Sequence, residues 1–118
     1  MRVPQHPTQI RHMLNGRLKQ MAPAGPVLAA SLALVHKRCG QPSCHCSGDG
    51  PLHTAHHLTL KVKGKTRTVY VPQDLLPEVQ AWVAEYHRLK NLMAEVSQLT
   101  LALVQRHIQQ RRRKKGRP

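Results

Sequence analysis

Apolar and polar residues alternate most cleanly over residues 58–71. Leu58, Leu60, Val62, Val69 and Val71 share one parity, while Thr59, Lys61, Lys63, Thr66, Thr68 and Tyr70 share the other. Gly64 at the first central position of a two-residue loop suits a type II′ turn, which pairs Lys63 with Thr66, Leu60 with Val69 and Leu58 with Val71. Arg67 then lies at the tip of the apolar face. A slip of one residue would mix the two sets, so the pattern itself argues for this hairpin.

Beyond Pro72 the period changes. Asp74 is placed to cap a helix, with Pro77 in a first turn whose amides lack intrahelical partners. Nothing interrupts that helix until about Gln110. Val79, Trp82, Tyr86, Leu89, Met93, Val96, Thr100, Leu103 and His107 advance by steps of three and four, as in a heptad seam. At 1.5 Å per residue the helix would run on the order of 50 Å. Its first turns are expected to cover the hairpin, around Val79, Trp82, Val83 and Tyr86. Its distal part needs another partner. A second copy meeting it at Leu89, Met93, Val96 and Leu103 would give a homodimer or higher oligomer. The alternative is packing inside the chain, against an N-terminal helix.

Such a helix is predicted from Thr8 as cap to about Met21, with Ile10, Met13, Leu14, Leu18 and Met21 on one stripe. Residues 22–26, rich in Pro and Gly, break it. Residues 27–38 admit two readings: alanine and leucine favour a helix, whereas the alternation at 31–34, leading into a turn, favours a strand. We read a strand. The expected class is α+β, with a small zinc-knuckle head of a β-hairpin or three strands, a short N-terminal helix and a long, coiled-coil-like C-terminal helix. The expected divisions are an N-terminal arm (1–26), the head (27–72), the long helix (73–110) and a disordered basic tail (111–118).

Charge changes the picture most. Nineteen basic residues face five acidic ones, a formal net charge of +14, and the first 48 residues contain no acid. That imbalance implies a polyanionic partner, nucleic acid before an anionic membrane, and DNA before RNA. Lys61, Lys63, Lys65, Arg67, Thr68 and Tyr70 on the hairpin are the candidate contacts. Arg111, Arg112, Arg113, Lys114, Lys115 and Arg117 would add affinity without reading sequence. The bland reading of the hairpin lysines is a solvated sheet face with guarded edges. No stretch is long enough to span a bilayer, and the apolar run from Val27 is too short and too far inside the chain for a signal peptide. A cytoplasmic, nucleoid-associated protein is the expectation.

All three cysteines, Cys39, Cys44 and Cys46, fall within eight residues. Clustered soft thiolates with Gly40 and Pro42 in the turn, and histidines close behind, make a tetrahedral zinc site the leading reading. A disulfide would leave one cysteine over, and a redox pair would call for Cys-x-x-Cys. His45 would strain to reach the same ion. His53, His56 and His57 all lie within reach as fourth ligand, and His53 is preferred. One structural zinc per chain is therefore expected. No His-x-Glu motif precedes the cysteines, which argues against a catalytic zinc of the deaminase kind and against an enzyme generally.

The run Cys39-Gly40-Gln41-Pro42-Ser43-Cys44-His45-Cys46, then Gly64-Lys65-Thr66-Arg67-Thr68-Val69-Tyr70-Val71-Pro72, then a helix with Trp82, Tyr86, Leu89 and Lys90 resembles a family of small bacterial proteins. That family is classed as a domain of unknown function. The resemblance covers about residues 27–105. Its members tend to show His-Gly-Pro and aromatics where this chain has His53-Thr54-Ala55-His56-His57, so His53 is the matching histidine. Similar proteins are found beside transposase genes. The resemblance therefore implies an accessory role in mobile-element biology. Two functional classes follow: a non-enzymatic nucleic-acid-binding accessory protein, or a coiled-coil assembly or regulatory subunit of a transposase or recombinase complex.

Overall fold

The computed structural model describes residues 1–38, 40–48 and 50–116. The fold is α+β. Helix α1 (Pro7–Lys19) precedes strand β1 (Ser31–Lys37), a short 3-10 turn (His45–Ser47), β2 (His53–Val62), β3 (Lys65–Val71) and helix α2 (Leu76–Lys115). The chain divides into two compact units. One is Gly25–His87; the other joins Met1–Ala24 to the chain from Arg88 onward. Among the described residues, no helix is long and apolar enough to cross a membrane.

The first unit is an antiparallel sheet in the order β1-β2-β3, with the start of α2 against one face. Residues 31–37 form a strand, as the alternation into the turn predicted: Ser31 pairs with Thr59 and Lys37 with His53. Ala30, Leu58 and Val71 are buried together with Val79 and Val83 of α2, and Leu32, Leu60 and Trp82 pack around them. The first turns of α2 thus cover the hairpin face at Leu58, Leu60 and Val71, while Val62 and Val69 stay 38% and 48% exposed.

The hairpin register differs from expectation by two residues. Val62 pairs with Lys65, Leu58 with Val69 and His57 with Tyr70. The turn is centred on Lys63 and Gly64, with φ of 52° and 80°. Positive φ at both positions marks type I′, whose twist matches that of the flanking strands. A shift of two preserves parity, so the apolar and polar faces survive while every cross-strand partner changes.

The second unit packs α1 against the distal part of α2. Ile10 and Leu99 are both fully buried there, with Ala102 beside them and Val3, Met13, Leu14 and Leu103 around the edge. Arg88 donates through its two Nη atoms to the carbonyls of Gln20 (2.7 Å) and Ala22 (3.2 Å), and Arg106 Nε donates to the Gln5 carbonyl at 3.2 Å. The two helices therefore run antiparallel, and arginines clasp both ends of α1.

Helix ends differ from expectation for local reasons. The cap of α1 is His6, not Thr8: its Nδ1 accepts from the Thr8 amide at 3.2 Å. Pro7 holds N1, where its fixed φ suits the helix and its missing N–H costs nothing. α2 begins at Leu76, and the Leu75 carbonyl accepts from the Val79 amide, so Leu75 occupies the position expected of Asp74.

The tail is also corrected: α2 continues to Lys115, taking in Arg111 to Lys115, which were expected to be disordered. Gln, Arg and Lys propagate a helix well, and cations suit the negative end of its dipole. Arg117 lies outside the described residues.

The seam is displaced as well. Leu92, Leu99 and Ala102 are the buried positions of distal α2, whereas Met93 is 60% exposed. Leu89 and Val96 are half-buried, and Leu103 packs at the edge of the α1 cluster. The buried positions are spaced by seven and three residues, a stripe offset by one residue from the expected seam.

Candidate metal centre and nucleic-acid face

The end of β1 leads into the cysteine knuckle, and β2 starts immediately after it, so the sheet fixes both ends of the site. Gly40 takes a φ of 83°, open to glycine without penalty, and begins the curl. The Cys44 amide donates to the Gln41 carbonyl (3.1 Å) and the Ser47 amide to the Cys44 carbonyl (3.0 Å). Ser47 Oγ lies 2.9 Å from the Pro42 carbonyl and 2.8 Å from that of Cys44, tying the loop across its mouth. Arg38 reaches the Gly48 carbonyl at 3.4 Å. Sequence reasoning missed Ser47; its place directly after Cys46 was the available signal, since a hydroxyl there reaches back to loop carbonyls.

Within this frame the Sγ atoms of Cys44 and Cys46 and a ring nitrogen of His53 all lie within 4.8 Å of one another. Cys44 Sγ and His53 Nε2 are 3.1 Å apart. Ligands on a tetrahedral zinc, at about 2.3 Å for sulfur and 2.0–2.1 Å for nitrogen, lie roughly 3.5–3.8 Å from each other. The three side chains are therefore close enough to hold a metal ion. Cys46 is fully buried, Cys44 half-buried and His53 exposed. Cys39, the remaining expected ligand, lies outside the described residues.

The sheet sorts the expected nucleic-acid contacts. Strand parity puts Lys61, Thr68 and Tyr70 on the face opposite α2, together with Thr59 and Thr66. Lys63 is in the turn, and Lys65 and Arg67 lie on the other face, paired with Val62 and Leu60. The face opposite α2 also carries Lys37 and His57, which sequence reasoning missed because the expected register set Tyr70 against Thr59. Lys37 Nζ lies 3.5 Å from His57 Nε2, and the rings of His57 and Tyr70 meet edge to face with centroids 6.1 Å apart. No Asp or Glu occurs in any of the three strands.

In the other unit, Arg113 lines a groove with Gln5, Pro7, Arg106, Gln109 and Gln110. Arg111, Arg112, Lys114 and Lys115 are exposed on the last turns of α2. A helix turns 100° per residue, so these cations radiate to all sides instead of lining one edge.

No curated protein and no solved structure matches the chain. The family described as "Domain of unknown function (DUF6788)" matches residues 9–81, starting earlier and ending sooner than the stretch expected from the motifs, and spanning α1, the sheet, the knuckle and the first turns of α2. The chain belongs to that domain-of-unknown-function family.

Proposed function

We propose that this protein is a non-enzymatic nucleic-acid-binding accessory protein whose head is fastened by one structural zinc. The carrying observation is the sheet face opposite α2. It presents Lys37, Lys61, three threonines and Tyr70, with no acid in the three strands, in a chain of net charge +14. Hydroxyls and ammonium groups of this kind hydrogen-bond phosphate, and the basic end of α2 adds charge without sequence preference. Two thiolates and an imidazole select zinc over harder cations, and Cys44, Cys46 and His53 would hold it, with Cys39 as fourth ligand. Four of the five acids, Asp74, Glu78, Glu85 and Glu95, lie in α2 or the turn before it, which favours a fastening role for the metal over a catalytic one.

The reading predicts steep salt dependence. About three to five phosphate contacts give a slope near −0.9 per contact in log–log form, so duplex DNA affinity should fall roughly 40- to 500-fold between about 50 and 200 mM salt. Equilibrium titration across that range measures it. A flat response would sink the reading.

A second reading, an assembly or regulatory subunit of a transposase or recombinase complex, is favoured by a different observation. Met93, Leu101, Val104 and Ile108 are 60%, 55%, 52% and 44% exposed. With Ser97 they advance by steps of four, four, three and four, forming an apolar stripe. On this reading, Leu101→Asp converts a self-associated protein into a monomer by light scattering, with DNA affinity changed less than threefold. A wild-type protein monomeric at high micromolar concentration and unable to capture a transposase would exclude it.

A further inference from the structure

Across the middle of the sheet, Ala33, His57 and Tyr70 stand in one row, one from each strand. Tyr70 is 57% exposed, a large amphipathic ring left standing on the face away from the apolar core. Its neighbours are small. Ser31, Ala33 and Ala55 rise little above the backbone, and Val35, Thr59 and Thr68 on the same face are short, so the two rings reach further out than these neighbours. The rings lie at 77° to each other, so a flat group stacked on one meets the other edge-on. Lys37 stands 3.5 Å from His57 on one side, and Lys61 lies four residues along β2 on the other.

We infer that this face binds single-stranded nucleic acid, with an unpaired base stacked on Tyr70, His57 at the base's edge, and Lys37 and Lys61 on the flanking phosphates. The inference rests on the nucleic-acid reading and narrows it to a substrate class. An exposed ring on a β-sheet offers a π-face to a base, and duplex bases are stacked upon one another and cannot use it. Charge complementarity settles the occupant: the three strands carry cations and no acid, and phosphate is the anion that comes with bases attached. His53, on the same parity of β2, ties this face to the knuckle, so a metal there would hold the platform still.

The test uses the full, zinc-loaded chain and three labelled probes: a mixed-sequence DNA single strand, a strand of equal length made wholly of abasic sites, and a duplex. Wild type should bind the base-bearing single strand more tightly than the duplex. Tyr70→Ala should weaken that binding by on the order of tenfold and change abasic-strand binding less than twofold. Tyr70→Phe, which keeps the ring, should bind like wild type. Zinc content measured on each variant shows that the head is intact. Equal losses on base-bearing and abasic strands, no loss on the base-bearing strand, or a preference for duplex would each overturn the inference and leave the nucleic-acid reading standing. Absence of salt-sensitive binding to all three probes would overturn both.

Discussion

Stripped of metal by a strong chelator, the head is expected to lose its fold. Its apolar core is small: Ala30, Leu58, Val71, Val79 and Val83 are the buried members, and none comes from the knuckle. Cys46 is fully buried and lies outside both apolar clusters, with Cys44 and His53 close enough to share a metal ion with it. Turn hydrogen bonds also hold the knuckle, each contributing about 1 kcal/mol net. A structural zinc in a small domain supplies on the order of 10 kcal/mol, comparable with the whole stability of a domain this small. Loss of the β-sheet circular dichroism and of the cooperative melting transition on chelation, with recovery on adding zinc, is the expected outcome. Cys46→Ser and Cys44→Ser should bring zinc from one per chain to none by elemental analysis. A chelated protein that melts like the untreated one would refute the fastener. Zinc retained in Cys39→Ser would remove that residue from the ligand set.

The site was legible in the sequence because metal ligands must be close in space and this chain makes them close in sequence. Choosing His53 was harder, since His56 and His57 also lie within reach along the chain. The sheet decides: His53 pairs with Lys37 at the mouth of the knuckle, while His57 lies further along the open face beside Tyr70. The hairpin faces were legible for a related reason, since parity survives a two-residue shift. The register was not, because Lys63-Gly64 and Gly64-Lys65 both make two-residue turns. Choosing between them depends on how the whole ladder twists, which no window of the sequence contains.

The distal helix was least legible. Leu92, Met93, Val96, Leu99, Leu101, Ala102, Leu103, Val104 and Ile108 place apolar groups nearly all the way round. Periodicity then fits more than one stripe, and the partner chooses. Here α1 selects Leu99 and Ala102 and leaves Met93, Leu101, Val104 and Ile108 to solvent. The same ambiguity explains why an outward stripe is present at all: the helix carries more apolar surface than one short partner can cover.

That choice of stripe has a measurable consequence at Leu99. Among the described residues of this unit, Ile10 and Leu99 are the large, fully buried ones, so each carries a large share of what holds α1 down. The other ties are weaker. The Arg17–Glu95 ion pair, at 3.3 Å, has side chains 28% and 38% exposed, and such pairs contribute about 0.2–1 kcal/mol. The arginine contacts to Gln5, Gln20 and Ala22 are exposed to competing water. Leu99→Ala removes the buried side chain and opens a cavity beside Ile10, a change that costs about 2–5 kcal/mol. Amide hydrogen exchange over α1 should therefore quicken by at least about thirtyfold, the factor that 2 kcal/mol represents at 25 °C. Met93→Ala, six residues earlier and 60% exposed, should change it by less than about threefold, within the 0.5 kcal/mol expected of surface positions. If the order is reversed, with Met93→Ala loosening α1 and Leu99→Ala leaving it protected, then the stripe through Met93 and not the one through Leu99 and Ala102 holds the two helices together.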